Sequence, residues 1–177
     1  MIRKKIHFLS LLIGLLLLCA LTACGGEKET EPALDCPFTD LGWNSTVDDM
    51  LSAEGDDYST YDSLYGGLCY TYPKDYVGLS GTVKYMFNEE NKLMSVAWAY
   101  SAENADEIAS LYETVSTSII AENGESGYDV SGVGNYGGVW YRESGDIILT
   151  TMITSENKAL QYAYLHPLVS RGEEEQN

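Results

Sequence analysis

The chain carries one tripeptide twice, Glu90-Asn91-Lys92 and Glu156-Asn157-Lys158, 66 residues apart (156 − 90). The first lies between two alternating runs. Val83, Tyr85 and Phe87 alternate with Lys84, Met86 and Asn88, and after the turn Met94, Val96, Trp98 and Tyr100 alternate with Ser95, Ala97 and Ala99. A period of two places each set on its own face of a strand, so the stretch predicts an antiparallel hairpin. The small residues Ser95, Ala97 and Ala99 suit a helix lying close against the sheet. Under the same offset Met94, Val96 and Trp98 fall on Leu160, Tyr162 and Tyr164, and Val83 and Phe87 fall on Leu149 and Ile153. A repeated order of elements is what a duplicated unit looks like. The other reading is two α+β halves alike by coincidence.

Helices are expected ahead of both sets of strands. Ser45–Glu54 has Ser45 and Asp48 in capping-box positions, an apolar stripe of Val47, Met50 and Leu51, and Gly55 as a stop. Window 40–56 falls on 106–122 under the offset. There Ile108, Leu111, Tyr112, Val115, Ile119 and Ile120 repeat with helical spacing over Asn104–Asn123, capped by Asn104. Further strands are expected at Leu68–Tyr72 (ended by Pro73), Val133–Arg142, Asp146–Thr154 and Ala159–Leu165. Asp56–Tyr65 reads as a polar turn region. The fold class is therefore α+β: a duplicated helix-plus-three-strand unit forming an antiparallel sheet with helices packed on one face. The domain is expected over 36–168, in halves of about 36–102 and 103–168, with a charged tail at 169–177.

The first residues have a different character. Arg3, Lys4 and Lys5 precede an apolar run from Phe8 to Leu21, broken only by Ser10 and Gly14. This is the order of a secretory signal peptide, and the run is short for a spanning helix. Leu21-Thr22-Ala23-Cys24-Gly25 resembles the lipobox of bacterial lipoproteins. The resemblance implies removal of 1–23 and a diacylglycerol thioether on Cys24, with palmitate-type chains holding the protein at the membrane. Two other readings stay open: an uncleaved anchor helix, or ordinary cleavage with Cys24 a bystander. Residues 24–35 are polar and aperiodic and read as a tether. The implied address is the extracytoplasmic face of the cell membrane, or the outer membrane of a Gram-negative cell, since Gly25 rather than Asp follows the cysteine.

Cleavage would leave 7 Lys+Arg (10 − 3) against 27 Asp+Glu, a formal charge of −20. Such a surface repels nucleic acid and anionic headgroups, so no nucleic-acid partner is expected. It suits a soluble monomeric body. Cys36 and Cys69 would be the remaining thiols. An oxidising compartment allows a disulfide between them, and the other reading makes Cys69 a small buried strand residue.

Catalytic constellations are missing from the sequence. His166 would be the single histidine of the mature chain, too little for histidine acid–base chemistry. No Gly-x-Ser-x-Gly, Cys-x-x-Cys or His-x-x-x-His occurs, so neither a nucleophile elbow nor zinc is expected. Gly132-Val133-Gly134-Asn135-Tyr136-Gly137 echoes a phosphate loop but leads into a strand, which leaves a tight turn or bulge as the reading. Asp56-Asp57…Asp62 does not have EF-hand spacing. No cofactor, metal or catalytic residue is expected. Tyrosine is the informative residue type. Tyr58, Tyr61, Tyr65, Tyr70, Tyr72 and Tyr76 fall within nineteen residues. Those in the acidic loop, Tyr58, Tyr61 and Tyr65, are candidate interface anchors, because tyrosine offers a large area and a polar tip at low entropic cost.

Gly42-Trp43-Asn44-Ser45-Thr46-Val47-Asp48-Asp49-Met50 is close to the Trp/Phe-Gly-x-Ser/Thr-x-x-Glu-Val opening of one group of lipoprotein domains. With helix-then-strand units on a tether, the chain resembles the family that includes the β-lactamase-inhibitor-protein fold and the BamE/SmpA assembly lipoproteins. The resemblance covers about 36–168, and the second unit lacks the opening. It implies a non-enzymatic protein that binds a partner in the cell envelope. The other functional readings are an extracytoplasmic binder of a small ligand or cation, and a carboxylate-based hydrolase.

Overall fold

The computed structural model describes residues 32–132 and 134–171. Helix α1 (Val47–Glu54) is followed by β1 (Ser59–Asp62), β2 (Gly66–Tyr76), β3 (Leu79–Asn88) and β4 (Leu93–Ser101). Helix α2 (Ala105–Asn123) is followed by β5 (Tyr128–Gly132), β6 (Asn135–Trp140), β7 (Asp146–Ile153) and β8 (Lys158–Leu165), and a short α3 (Pro167–Arg171) follows. The class is α+β, mostly sheet. Each long helix precedes four strands rather than the expected three. The two unexpected strands are β1 and β5, both at edges. All four β1 residues are exposed and β5 has only one half-buried residue, so neither presents an apolar alternation to read.

All eight strands form one antiparallel sheet, in the order β1-β2-β3-β4-β8-β7-β6-β5. The order is a palindrome about the β4–β8 pair. At that seam Val96 lies opposite Tyr164, Ala97 opposite Ala163 and Trp98 opposite Tyr162. The offset of 66 carries Ala97 onto Ala163 (97 + 66), its own cross-strand partner. It fails by two residues one strand further out. Val83 pairs with Trp98, and Ile147 pairs with Tyr164. If Trp98 corresponds to Tyr164, Val83 corresponds to Ile147, an offset of 64 (147 − 83). A slip of two keeps every side chain on its face.

Turn chemistry explains the hairpins. Between β3 and β4 the Asn88 side-chain carbonyl accepts the N–H groups of Glu90 at 3.1 Å and Lys92 at 2.9 Å, and Asn91 is left-handed at φ 59°. Between β2 and β3 the two-residue link Val77-Gly78 has φ 47° and 80°, as a type I′ turn requires. Strand β2 runs on past Pro73, contrary to the expected stop. The β1 ladder reaches no further than Thr71, so one side of Pro73 has no strand partner and its missing N–H is tolerated.

Both helices begin and end as capping rules require. The α1 cap is Thr46, not Ser45. Its hydroxyl accepts the Asp49 N–H at 3.2 Å while the Asp49 carboxylate accepts the Thr46 N–H at 2.8 Å. Ser45 instead accepts the Gly42 N–H at 3.0 Å. Asn104 caps α2 through the Glu107 N–H at 2.8 Å. Both helices stop at glycines with nearly the same dihedrals, Gly55 (φ 89°, ψ −167°) and Gly124 (φ 79°, ψ −169°). Each glycine carbonyl accepts a hydrogen bond from an aromatic side chain on the second strand that follows. Tyr72 Oη of β2 reaches Gly55 O at 3.0 Å, and Trp140 Nε1 of β6 reaches Gly124 O at 2.9 Å.

Ile108, Leu111, Val115 and Ile119 of α2, with Met50 of α1, are buried in one cluster with Tyr85, Phe87, Val96, Trp98, Leu149 and Tyr162. The strand residues in that cluster are the bulky set. Ala97, expected to receive a helix, is buried but stands outside it. Bulk is favoured there because the space between helix and sheet is filled by interdigitating side chains. The chain ahead of α1 joins the same core. Leu34, in the stretch read as tether, is buried, as are Phe38 and Trp43. Phe38 meets Tyr76, Tyr162 and Tyr164 edge-on, with ring centroids 5.7, 5.5 and 5.9 Å away. Trp43 Nε1 donates to Ser144 O at 2.7 Å.

Candidate functional site

Hairpin β1–β2 holds the tyrosines of interest, and its register separates them. Tyr61 lies opposite Cys69, and Thr60 opposite Tyr70. Alternation then sends Tyr70 and Tyr72 to one face and Cys69 and Tyr61 to the other. Tyr58 joins the first face: its ring meets Tyr70 at 5.3 Å and Tyr72 at 5.8 Å. Tyr65 belongs with the second, since its hydroxyl bonds to Ser95, which alternates with the core residue Val96. The three candidate anchors therefore do not make one patch. Tyr58 stands on the core-facing side, and Tyr61 and Tyr65 on the opposite side.

Exposure separates them again. Tyr58 is 40% and Tyr61 47% exposed, whereas Tyr65 is half-buried. Burial, followed by the Cys69 thiol beside it, pushes the Tyr61 phenol up to about 12. Burial raises Tyr65, with Ser95 opposing. The other three clustered tyrosines are core residues. Tyr70 and Tyr72 are buried, and Tyr76 packs between Phe38, Trp98 and Tyr162. Two further exposed side chains lie on this hairpin, Leu64 at the turn (88%) and Leu68 on β2 (42%). Neither carries a surface signal in the sequence: Leu64 is a lone leucine in a turn, and Leu68 reads only as the first residue of the strand expected at Leu68–Tyr72.

Of the two readings for the thiols, the disulfide is not formed: Cys36 and Cys69 are both free and buried, and Cys69 is a buried strand residue. Their positions explain why. Cys36 belongs to the core cluster with Tyr70 and Tyr72, and Cys69 points to the other face of β2, so the sheet lies between the thiols. Burial pushes Cys36 up to about 12 and raises Cys69 as well. A buried protonated thiol is a poor nucleophile.

Other candidates resolve into structure. His166 is buried, edge-on to Trp43 at 5.1 Å, and its Nδ1 accepts the Leu168 N–H at 3.0 Å. Gly134, with φ 78°, forms the β5–β6 turn. A Cβ there would stand 2.1 Å from Ile153 O, and one on Gly137 2.1 Å from Leu149 O, so close approach of two backbones accounts for two of the three glycines that echo a phosphate loop. Among the described residues no three metal-ligating side chains converge, Asp56, Asp57 and Asp62 included. Carboxylate Glu54 is engaged by Lys74 Nζ at 2.9 Å and by Tyr85 Oη at 2.5 Å.

That ion pair borders a cleft of about 300 Å³ lined by Phe38, Asp40, Glu54, Lys74 and Asp75. A second cleft of about 270 Å³ lies beside Tyr58, Thr71 and Tyr72. A third of about 170 Å³ lies beside Glu125, Trp140 and Tyr141. These sit at or below the small end of ligand pockets, which are about 300–1,000 Å³ and mostly apolar. Cys24 lies outside the described residues. No helix among the described residues is long and apolar enough to cross a membrane. No protein-family model, curated protein or solved structure matches this chain.

Proposed function

We propose that this protein is a lipid-anchored, extracytoplasmic binding protein, non-enzymatic, that holds a protein partner of the cell envelope through the edge formed by β1 and β2. One observation carries the binding part. Tyr58, Tyr61, Leu64 and Leu68, all large and apolar or aromatic, are exposed along one edge hairpin, with Tyr58 on one face of it and Tyr61 on the other. Four such side chains flanking both faces of one edge mark that edge as an interaction site more readily than residues scattered over the surface do. The anchoring part rests on the order Arg3-Lys4-Lys5, apolar run, Leu21-Thr22-Ala23-Cys24. The reading also takes the domain to be a tandem duplication, each unit a helix plus four strands, with α1 and α2 covering one face. The palindromic strand order, the matched glycine caps and their aromatic donors Tyr72 and Trp140 support it.

Two experiments test this. Cys24→Ala should release the protein from the membrane fraction; unchanged retention refutes lipid anchoring. Crosslinking in intact envelopes should capture a partner whose yield falls when Tyr58 and Tyr61 are both replaced by Ala. Capture indifferent to both tyrosines refutes the binding surface. The clefts favour this reading over a small-ligand binder, since the residues that line the largest of the three include the already paired Lys74 and Glu54.

A further inference from the structure

Resting on the partner-binding reading, we propose that β1 is a docking edge that accepts an extended cationic segment of the partner as an added antiparallel or parallel strand. Strand β1 is outermost in the sheet and all of Ser59–Asp62 is exposed. Its backbone has a definite polarity. The Ser63 N–H donates to Gly67 O at 2.8 Å, so Tyr61 and Ser59, two and four residues away, also turn toward β2. By the alternation of an antiparallel ladder, Thr60 and Asp62 direct their N–H and C=O groups outward. An incoming strand would pair with those two residues and place its side chains beside Tyr58 on one face and Tyr61 on the other. This is strand addition, in which the main chain supplies affinity and the flanking side chains supply selectivity.

Charge selects the occupant. From Glu29 to Pro73 the sequence has ten Asp or Glu and no Lys, Arg or His. Asp56, Asp57 and Asp62 stand in or next to β1 and are exposed. Two copies of this edge laid together would oppose acid to acid, so the charge that blocks self-pairing also favours a Lys- or Arg-bearing strand. The run is denser in acid than the other long base-free stretch, Leu93 to Tyr141, which has seven Asp or Glu in 49 residues against ten in 45.

The test uses the full chain in detergent micelles and a fluorescent heptapeptide alternating Lys with Val, with a Glu-for-Lys peptide as its counterpart. The Lys peptide should bind, weaken as salt is raised, and slow amide exchange at Thr60 and Asp62. Thr60→Pro removes one outward N–H and should weaken binding about tenfold with Tm unchanged. Asp62→Lys should weaken the Lys peptide and strengthen the Glu peptide. Wild-type affinity in a folded Thr60→Pro protein overturns the proposal. If Thr60→Pro does not fold, Asp62→Lys decides, and an unaltered peptide preference overturns it. Partner crosslinking that needs Tyr58 and Tyr61 but survives both edge variants overturns strand addition while leaving partner binding standing. Loss of tyrosine dependence as well overturns both.

Discussion

Phe38→Ala is the most searching perturbation of this fold. Phe38 precedes the first helix, yet it is 3% exposed and meets three tyrosines edge-on, Tyr76 of β2 and Tyr162 and Tyr164 of β8. Truncating a buried phenylalanine costs about 3–5 kcal/mol when the cavity does not collapse. Collapse is hindered here. The walls are strand residues held in register, and Tyr162 and Tyr164 are tied together by a hydroxyl hydrogen bond of 2.6 Å. Phe38→Leu keeps most of the apolar volume and loses the ring edges, worth about 0.5–1.5 kcal/mol per aromatic pair and less than additive for three pairs around one ring. We therefore expect about 4 kcal/mol for Ala and about 1.5–2 kcal/mol for Leu. Denaturant unfolding followed by tryptophan fluorescence measures both. Trp43 and Trp98 lie in the same cluster and report on it directly. Burial holds the Tyr162 and Tyr164 phenols well above the ordinary range, so the cavity should also bring their ionisation down in a spectrophotometric titration of the folded variant. A Phe38→Ala loss below about 1 kcal/mol, with unchanged phenol titration, would show that residues 34–43 do not form part of the core.

Three more expectations follow from particular residues. Val77 has φ 47° and is 48% exposed. A β-branched residue is strained there, so Val77→Asn should raise stability by about 0.5–1 kcal/mol in thermal or denaturant unfolding. Tyr72→Phe leaves the Gly55 carbonyl at the α1 terminus without its donor and should cost about 1 kcal/mol, with α1 amides exchanging faster. Tyr72 is pushed up to about 12, and Tyr85, Tyr162 and Tyr164 are raised further, all first by burial. Their unfolded values are about 10. The folded state thus holds these protons more tightly, so stability is full below pH ~10 and falls as pH rises from there toward the folded values. Circular dichroism should show alkaline unfolding with that onset; stability flat to pH ~12 would contradict the buried placement.

How much could be read in advance depended on whether an element presents a pattern. Helix α2 was legible because Ile108, Leu111, Val115 and Ile119 mark one buried stripe and Asn104 caps it. Strands β3, β7 and β8 were legible because one face of each is in the core and alternation follows, and β4, buried on both faces over residues 93–98, because bulky and small residues alternate along it. β1 and β5 were not, since an edge strand with both faces exposed has no period. Pro73 misled for a related reason: it ends a central strand but not one whose neighbour stops short. In the candidate site, tyrosine density around 58–76 was plain in the sequence. Which tyrosines are outside, and on which face, depends on register. Leu64 and Leu68 became part of the edge only once the hairpin placed them.

The sequence alone determines the alternation, the helix stripes and caps, the acidic run without bases and the signal-like first residues, because these depend on neighbours within a few positions. Tertiary structure decided the rest. The side of β2 on which a side chain emerges sends Tyr58 and Tyr61 apart and puts the sheet between Cys36 and Cys69. Strand order leaves β1 with an outward row of N–H and C=O groups at Thr60 and Asp62. These depend on pairing between residues far apart in the chain, where a shift of one position exchanges the two faces, and local composition holds no record of that choice.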